Sequence, residues 1–88
     1  MSYEVELSPS ARRALTRDLP EAVAAAVLEF LRGPLAENPH RVGRPLRGSV
    51  EGLRSARRGD YRVIYEIQEH RVVVRVIRMQ HRRDAYRP

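Results

Sequence analysis

Cysteine is absent from the 88-residue chain, which excludes a disulfide framework, a thiolate zinc site and a cysteine nucleophile together. That absence predicts a reducing, cytoplasmic setting, since small exported domains usually rely on a covalent staple. Lysine is absent as well: all 17 basic residues are arginine. Two readings of this bias stand side by side, a G+C-rich genome or a demand for the planar, bidentate guanidinium in contacts with phosphate or bases. Long apolar runs are also missing. The longest, Ala22 to Leu28, falls far short of the roughly 20 residues that cross a bilayer, so no membrane association is expected. The opening Met-Ser-Tyr-Glu-Val-Glu-Leu has no basic stretch leading into an apolar one, and no secretory signal is predicted.

Further absences narrow the chemistry. The three histidines stand at 40, 70 and 81, a spacing that suits no metal site, and neither a metal nor any other cofactor is expected. No Gly-x-Ser-x-Gly occurs, and Ser8, Ser10, Ser49 and Ser55 read as caps or loop residues. Neither a phosphate-cradling loop nor a dinucleotide fingerprint is present, and there is no internal repeat.

The length fits one domain with a single core. With 42% hydrophobic and 32% charged residues the chain reads as globular, and its net charge is +6. That charge is unevenly placed. Residues 1–39 hold 4 arginines and 6 acids, whereas residues 40–88 hold 13 arginines and 5 acids. An asymmetry of this size within one domain, without a contiguous basic tail, points to a folded polyanion-binding patch.

Hydropathy patterning predicts an α+β fold in the order β-α-α-β-β-β. Tyr3, Val5 and Leu7 alternate with Glu4 and Glu6, as in a half-buried strand. Ser8-Pro9 starts a short helix with Ala11, Ala14 and Leu15 on one face, and Leu19-Pro20 interrupts it. A second helix carries Val23, Ala26, Val27, Phe30 and Leu31 and ends near Gly33-Pro34, completing a helical hairpin over about 9–36. Residues 37–51, with prolines at 39 and 45, glycines at 43 and 48 and arginines at 41, 44 and 47, read as a basic loop. A meander over about 52–79 follows. Its middle strand carries Tyr61, Val63, Tyr65 and Ile67 on one face and Arg62, Ile64 and Glu66 on the other, and a basic segment, 80–88, ends the chain. The resulting expectation is an antiparallel sheet with the hairpin packed on one face and a basic, concave face opposite, kept wet or in contact with anions because unpaired guanidinium groups resist burial.

Arg78, His81, Arg82, Arg83, Tyr86 and Arg87 gather arginine, histidine and tyrosine near the C-terminus. Such a set can cleave RNA without a metal. The 2′-hydroxyl is the nucleophile, so the protein has only to provide a base, an acid and cations around the phosphorane. Tyr86 serves as base if neighbouring guanidinium groups stabilise its phenolate. The same residues also read as a solvated tail or a docking surface.

Two motifs add a resemblance that spans nearly the whole chain. Gly-Asp-Tyr-Arg-Val-Ile-Tyr at 59–65 and His-Arg-Arg-Asp-x-Tyr at 81–86, with Pro-Leu-Arg-Gly at 45–48, resemble the RelE branch of the RelE/ParE toxin superfamily. The resemblance implies the toxin of a type II toxin–antitoxin system, a ribosome-dependent endoribonuclease that cleaves mRNA in the A site and leaves a 2′,3′-cyclic phosphate. It implies three kinds of partner: the ribosome with its mRNA, an acidic antitoxin encoded next to the toxin, and operator DNA only through that antitoxin. By motif, Arg62 matches the arginine that stabilises the transition state, Arg82 the general acid and phosphate contact, and Tyr86 the base, with His81 as another candidate acid. Arg47 matches a basic residue of the substrate channel and Arg57 another basic position on the strand before the turn, and Arg54, Arg58, Arg78 and Arg83 complete the expected RNA-binding set. The chain departs from the best-known members by carrying Leu53 and Ser55 where they place lysines, with Arg54 out of register, and by a spacing before Tyr86 that is two residues shorter. Two further readings share the fold: a ParE-like inhibitor of DNA gyrase, and a non-catalytic protein that binds RNA or only its antitoxin.

Overall fold

The N-terminal alternation produces β1 (Glu4–Leu7), and Ser8 turns the chain into α1 (Pro9–Arg13). Ser8 is the N-cap, its Oγ accepting from the backbone N–H of Ala11 at 3.0 Å, while Pro9 fills a first-turn position whose N–H has no partner to lose. α1 widens through Ala14–Asp18 into a π-type turn closed by Leu19 N–H donating to the Ala14 carbonyl. Leu19 is extended because Pro20 follows it. α2 (Glu21–Phe30) runs into a second wide turn, Leu31–Leu35. Pro34 lies inside that turn, where it lacks an N–H and its ring would crowd a tighter helix. The structure, a computed structural model, describes residues 2–81.

The segment expected to be a loop contains two more elements, α3 (Pro39–Val42) and the two-residue β2 (Arg44–Pro45). The meander follows as β3 (Arg54–Arg58), β4 (Tyr61–Gln68) and β5 (Val73–His81), with a short 3₁₀ turn at Glu69–Arg71. The sheet order is β1-β5-β4-β3-β2. β3, β4 and β5 pair antiparallel, as expected, and β2 adds to β3 in the same sense, but β1 joins β5 in parallel, with Glu4 opposite Val73 and Leu7 opposite Val76. The sheet is therefore mixed and not wholly antiparallel. β1 enters the helical hairpin and the chain returns through the meander, so the strand that meets β1 travels in the same direction. None of the described helices is long and apolar enough to cross a membrane.

The helices cover one sheet face. Ala11, Val27, Phe30, Leu31 and Leu35 pack on Ala56, Val63, Tyr65, Val74 and Val76, all buried. Burial of each large side chain in that group contributes about 1.5–3 kcal/mol relative to exposure. Tyr61, which the alternation places on the same face as Val63 and Tyr65, is only half-buried. A bulge between Ile64 and Tyr65 of β4 leaves Ile77 of β5 unpaired. The Ile77 carbonyl accepts from Ser8 Oγ at 2.5 Å and the Val76 carbonyl from Ser8 N–H at 2.9 Å. One buried serine thus caps α1 and holds the irregularity of β5.

Tyr65 ties the core to the α3–β2 passage. Its ring is fully buried, and its hydroxyl donates to the Pro39 carbonyl at 2.6 Å. Gly43 lies against that hydroxyl so closely that an added Cβ would sit 2.2 Å from it and 2.8 Å from the Ser55 carbonyl oxygen. Burial pushes the Tyr65 phenol above the usual tyrosine range, with nearby Arg54 opposing the shift. The raised value favours the neutral phenol in the fold, so its contribution is fully present below the ordinary tyrosine value near 10 and is lost as pH rises through the native one. Gly43→Ala is expected to cost about 1–3 kcal/mol by overpacking, and Tyr65→Phe about 1–3 kcal/mol by leaving the Pro39 carbonyl without its donor. Urea unfolding checks both, and Tyr65→Phe flattens the alkaline loss of stability measured in the same way.

Candidate nucleic-acid interface

β-strand alternation and the β2–β3–β4 register bring together residues that lie far apart in the chain. Arg57 and Arg62 face each other across the β3–β4 pair, and Arg44 stands opposite Ser55 across β2–β3. With Arg47 just beyond β2 they line a groove of about 590 Å³, its other wall built from Val42, Gly43, Pro45 and Leu46. The hairpin that carries Arg47 is closed by Leu46 N–H donating to the Leu53 carbonyl at 2.8 Å, and Ser49 Oγ accepts from Leu53 N–H at 3.0 Å. Gly48 and Gly52 supply its left-handed residues, with φ of +81° and +76°.

The four groove arginines are exposed, and among the described residues none of them makes an ion pair. Arg71 and Arg75, toward the β1 edge, are different: Arg71 reaches Glu6 at 2.8 Å and Arg75 reaches it at 3.8 Å. Like charges directly opposite on a sheet destabilise it, so the Arg57–Arg62 pair works against the fold that carries it. A groove rimmed by unpaired guanidinium forks is suited to a phosphate-bearing ligand, which each fork can meet with two N–H donors.

Other expected site residues lie elsewhere. Arg78, opposite Ile64, shares the sheet face of Arg62 but does not line the groove. Arg54 and Arg58 alternate onto the helix side of β3. Arg58 lies over the Phe30 ring at 5.9 Å, and Arg54 donates to the carbonyls of His40 and Gly43. His81 pairs with Tyr61, and their rings meet edge to face at 4.9 Å. Neither Arg54, Arg58 nor His81 is therefore brought beside Arg62. Arg82, Arg83 and Tyr86 lie outside the described residues. Among the described residues, no group of three or more His, Asp or Glu side chains is placed to hold a metal ion.

The groove also contains a residue that sequence reasoning did not nominate. Arg44 was visible only as one of three arginines in a loop. Its position follows from β2 pairing with β3, which local patterning in a Pro/Gly-rich stretch does not reveal.

A comparison with known families decides the kinship. The family described as the ParE toxin of type II toxin–antitoxin systems, parDE, matches residues 5–86. The chain belongs to the ParE toxin family. The match takes in every residue of the groove and both motifs noted in the sequence. Among members of the wider RelE/ParE superfamily, the chain is 52% identical to "Toxin RelE" of Mycobacterium tuberculosis (strain ATCC 25618 / H37Rv) over 97% of its own length and 87% of that protein. It is 46% identical to "Toxin RelG" of the same strain, covering 99% of both chains. In structure it resembles the toxin–antitoxin complex RelBE2 from M. tuberculosis, with a TM-score of 0.86, 44% identity and coverage of 93% of this chain and 100% of that one. The α+β architecture is thus that of a ParE-family toxin.

α3 is anchored on its outer side as well. His40 Nε2 lies 2.5 Å from Glu69 Oε1, and Tyr3 donates its hydroxyl to the same carboxylate at 3.0 and 3.1 Å. Hydrogen bonding from His40, then from Tyr3, holds the Glu69 carboxyl below its ordinary range. A depressed native value means that the contribution is present above the ordinary glutamate value near 4.3 and is lost as pH falls through the native one. Urea midpoints between pH 3 and pH 7 are therefore expected to fall less steeply on the acid side in Glu69→Gln than in the wild type.

Proposed function

We propose that the chain is the toxin of a type II toxin–antitoxin system and acts as a ribosome-dependent endoribonuclease on mRNA. The observation that carries this reading is the groove, where Arg44, Arg47, Arg57 and Arg62 surround one volume without a carboxylate partner among the described residues. Family membership and the similarity to proteins named Toxin RelE and Toxin RelG support it.

In the proposed reaction the scissile phosphate enters beside Arg62, whose guanidinium neutralises charge as the phosphorane forms. Tyr86 takes the proton of the 2′-hydroxyl, and the 2′-oxygen bonds to phosphorus. The bond from phosphorus to the 5′-oxygen breaks, and Arg82 delivers a proton to that oxygen. The products are a 2′,3′-cyclic phosphate and a 5′-hydroxyl, and no water or metal ion takes part. Arg44, Arg47 and Arg57 hold the flanking phosphates, which positions the RNA for in-line attack. The ribosome presents the mRNA. The similarity to the RelBE2 toxin–antitoxin complex supports an antitoxin as the second partner, one whose acidic residues cover the arginine-bearing sheet face opposite the helices.

The family description ParE keeps gyrase inhibition as the competing reading. Primer extension on an mRNA translated in a reconstituted extract, with and without ribosomes, separates the two. Ribosome-dependent cuts are expected from the wild type, and Arg62→Ala is expected to weaken them about 100- to 1,000-fold. Because Arg62 opposes Arg57 and is unpaired among the described residues, the same substitution should leave the thermal midpoint unchanged or raise it. Growth arrest without cuts, together with inhibited supercoiling, overturns the nuclease reading.

A further inference from the structure

Arg54 carries a cost that most strand arginines avoid. It is half-buried among the residues that join the sheet to α3, and its Nε is buried with no hydrogen-bond partner. A carboxylate does not pair with it among the described residues. Removing a guanidinium from water under those conditions is unfavourable, and an apolar side chain of similar length would fill the space without that cost.

What Arg54 does provide is a bridge. One nitrogen, Nη2, donates to the His40 carbonyl at 2.9 Å and to the Gly43 carbonyl at 3.0 Å. These carbonyls lie near the two ends of α3, a four-residue helix too short to hold its own shape. The groove lining begins at Val42 and Gly43 and continues into Arg44. Tyr65 holds the start of the same passage through Pro39. Arg54 therefore grips, from the helix side of the sheet, the backbone that carries Arg44 and Arg47 on the groove side.

We propose that Arg54 is a positioning residue: by bridging the His40 and Gly43 carbonyls it sets the direction of the α3–β2 passage, so that Arg44 and Arg47 line the same groove as Arg57 and Arg62. The functional part of this inference rests on the groove being the RNA site. It also gives a physical account of the departure noted in the sequence, because an arginine at 54 reaches the back of the groove wall and does not substitute for a cation at 53 or 55.

The test compares Arg54→Met and Arg54→Lys with the wild-type full chain by amide hydrogen exchange, thermal unfolding and mRNA cleavage kinetics in the reconstituted extract. For Arg54→Met, exchange at Val42, Gly43, Arg44 and Arg47 is expected to accelerate about ten- to a hundredfold, the range set by losing charge-assisted hydrogen bonds, while β4 and β5 amides keep their protection. Apparent KM for the mRNA should rise about tenfold with kcat little changed, since binding contacts are misplaced and the reacting groups are not. Arg54→Lys, able to reach one carbonyl, should restore part of both effects. Uniform acceleration of exchange with a lowered thermal midpoint would make Arg54 an ordinary stabilising residue and overturn the proposal. A raised KM without local exchange would overturn it in favour of direct RNA contact. Should the wild type fail to cleave, the nuclease reading falls, and the exchange pattern alone decides whether Arg54 positions the wall.

Discussion

The hydrogen bond from the buried Tyr65 hydroxyl to the Pro39 carbonyl joins two halves of the molecule that answer to different demands. On one side is an apolar core that needs the tyrosine ring as volume. On the other is a passage of proline, glycine and arginine that has little apolar surface of its own to hold it in place. The hydroxyl links them because a buried phenol requires an acceptor and a helix end requires a donor or a neighbour. Gly43 completes the junction by its lack of a side chain. Everything that gives the groove its shape on that side, from α3 through Arg47, follows this contact in the chain.

The same economy of partners explains how a small domain accommodates so many guanidinium groups. Arg12, Arg13, Arg17 and Arg32 lie exposed on the helices, where water satisfies them. Arg71 and Arg75 share Glu6 at the β1 side of the sheet. Arg58 rests on an aromatic ring and Arg54 on backbone carbonyls. Those around the groove have neither acid nor ring among the described residues, and their concentration there works against folding. An arrangement that opposes stability in this way is the pattern that sites of activity commonly show.

Much of this was legible in the linear chain because it depended on local period. The alternation at Tyr3, Val5 and Leu7, the Ser8-Pro9 cap, the α2 stripe and the β4 pattern all emerged as the elements they suggest. Three features were hidden for a common reason, namely that each depends on a distant partner. Nothing in β1 says whether its neighbour runs parallel or antiparallel, since alternation serves both. α3 and β2 lie in a stretch whose proline and glycine content reads as loop, and they form because Tyr65, Arg54 and Ser55 meet them from the sheet. The side taken by Arg54, Arg58 and His81 required strand register as well as residue type. Of the expected site, Arg47, Arg57 and Arg62 come together in one groove, and Arg44 joins them through a pairing that local patterning does not encode.

The parallel pairing of β1 with β5 also orders events in time. Among the described residues, β1 has β5, the latest strand in the sequence, as its only neighbour in the sheet, Glu4 meeting Val73 and Leu7 meeting Val76. During synthesis the N-terminal strand and the helical hairpin therefore wait without their sheet until β5 has emerged, because contacts so distant in sequence form only after the intervening chain is available. The groove, built on β3 and β4, is likewise unsupported until β5 closes beside β4. A chain with this topology completes its groove only after β5 has been made, so that surface is among the last parts of the described fold to form.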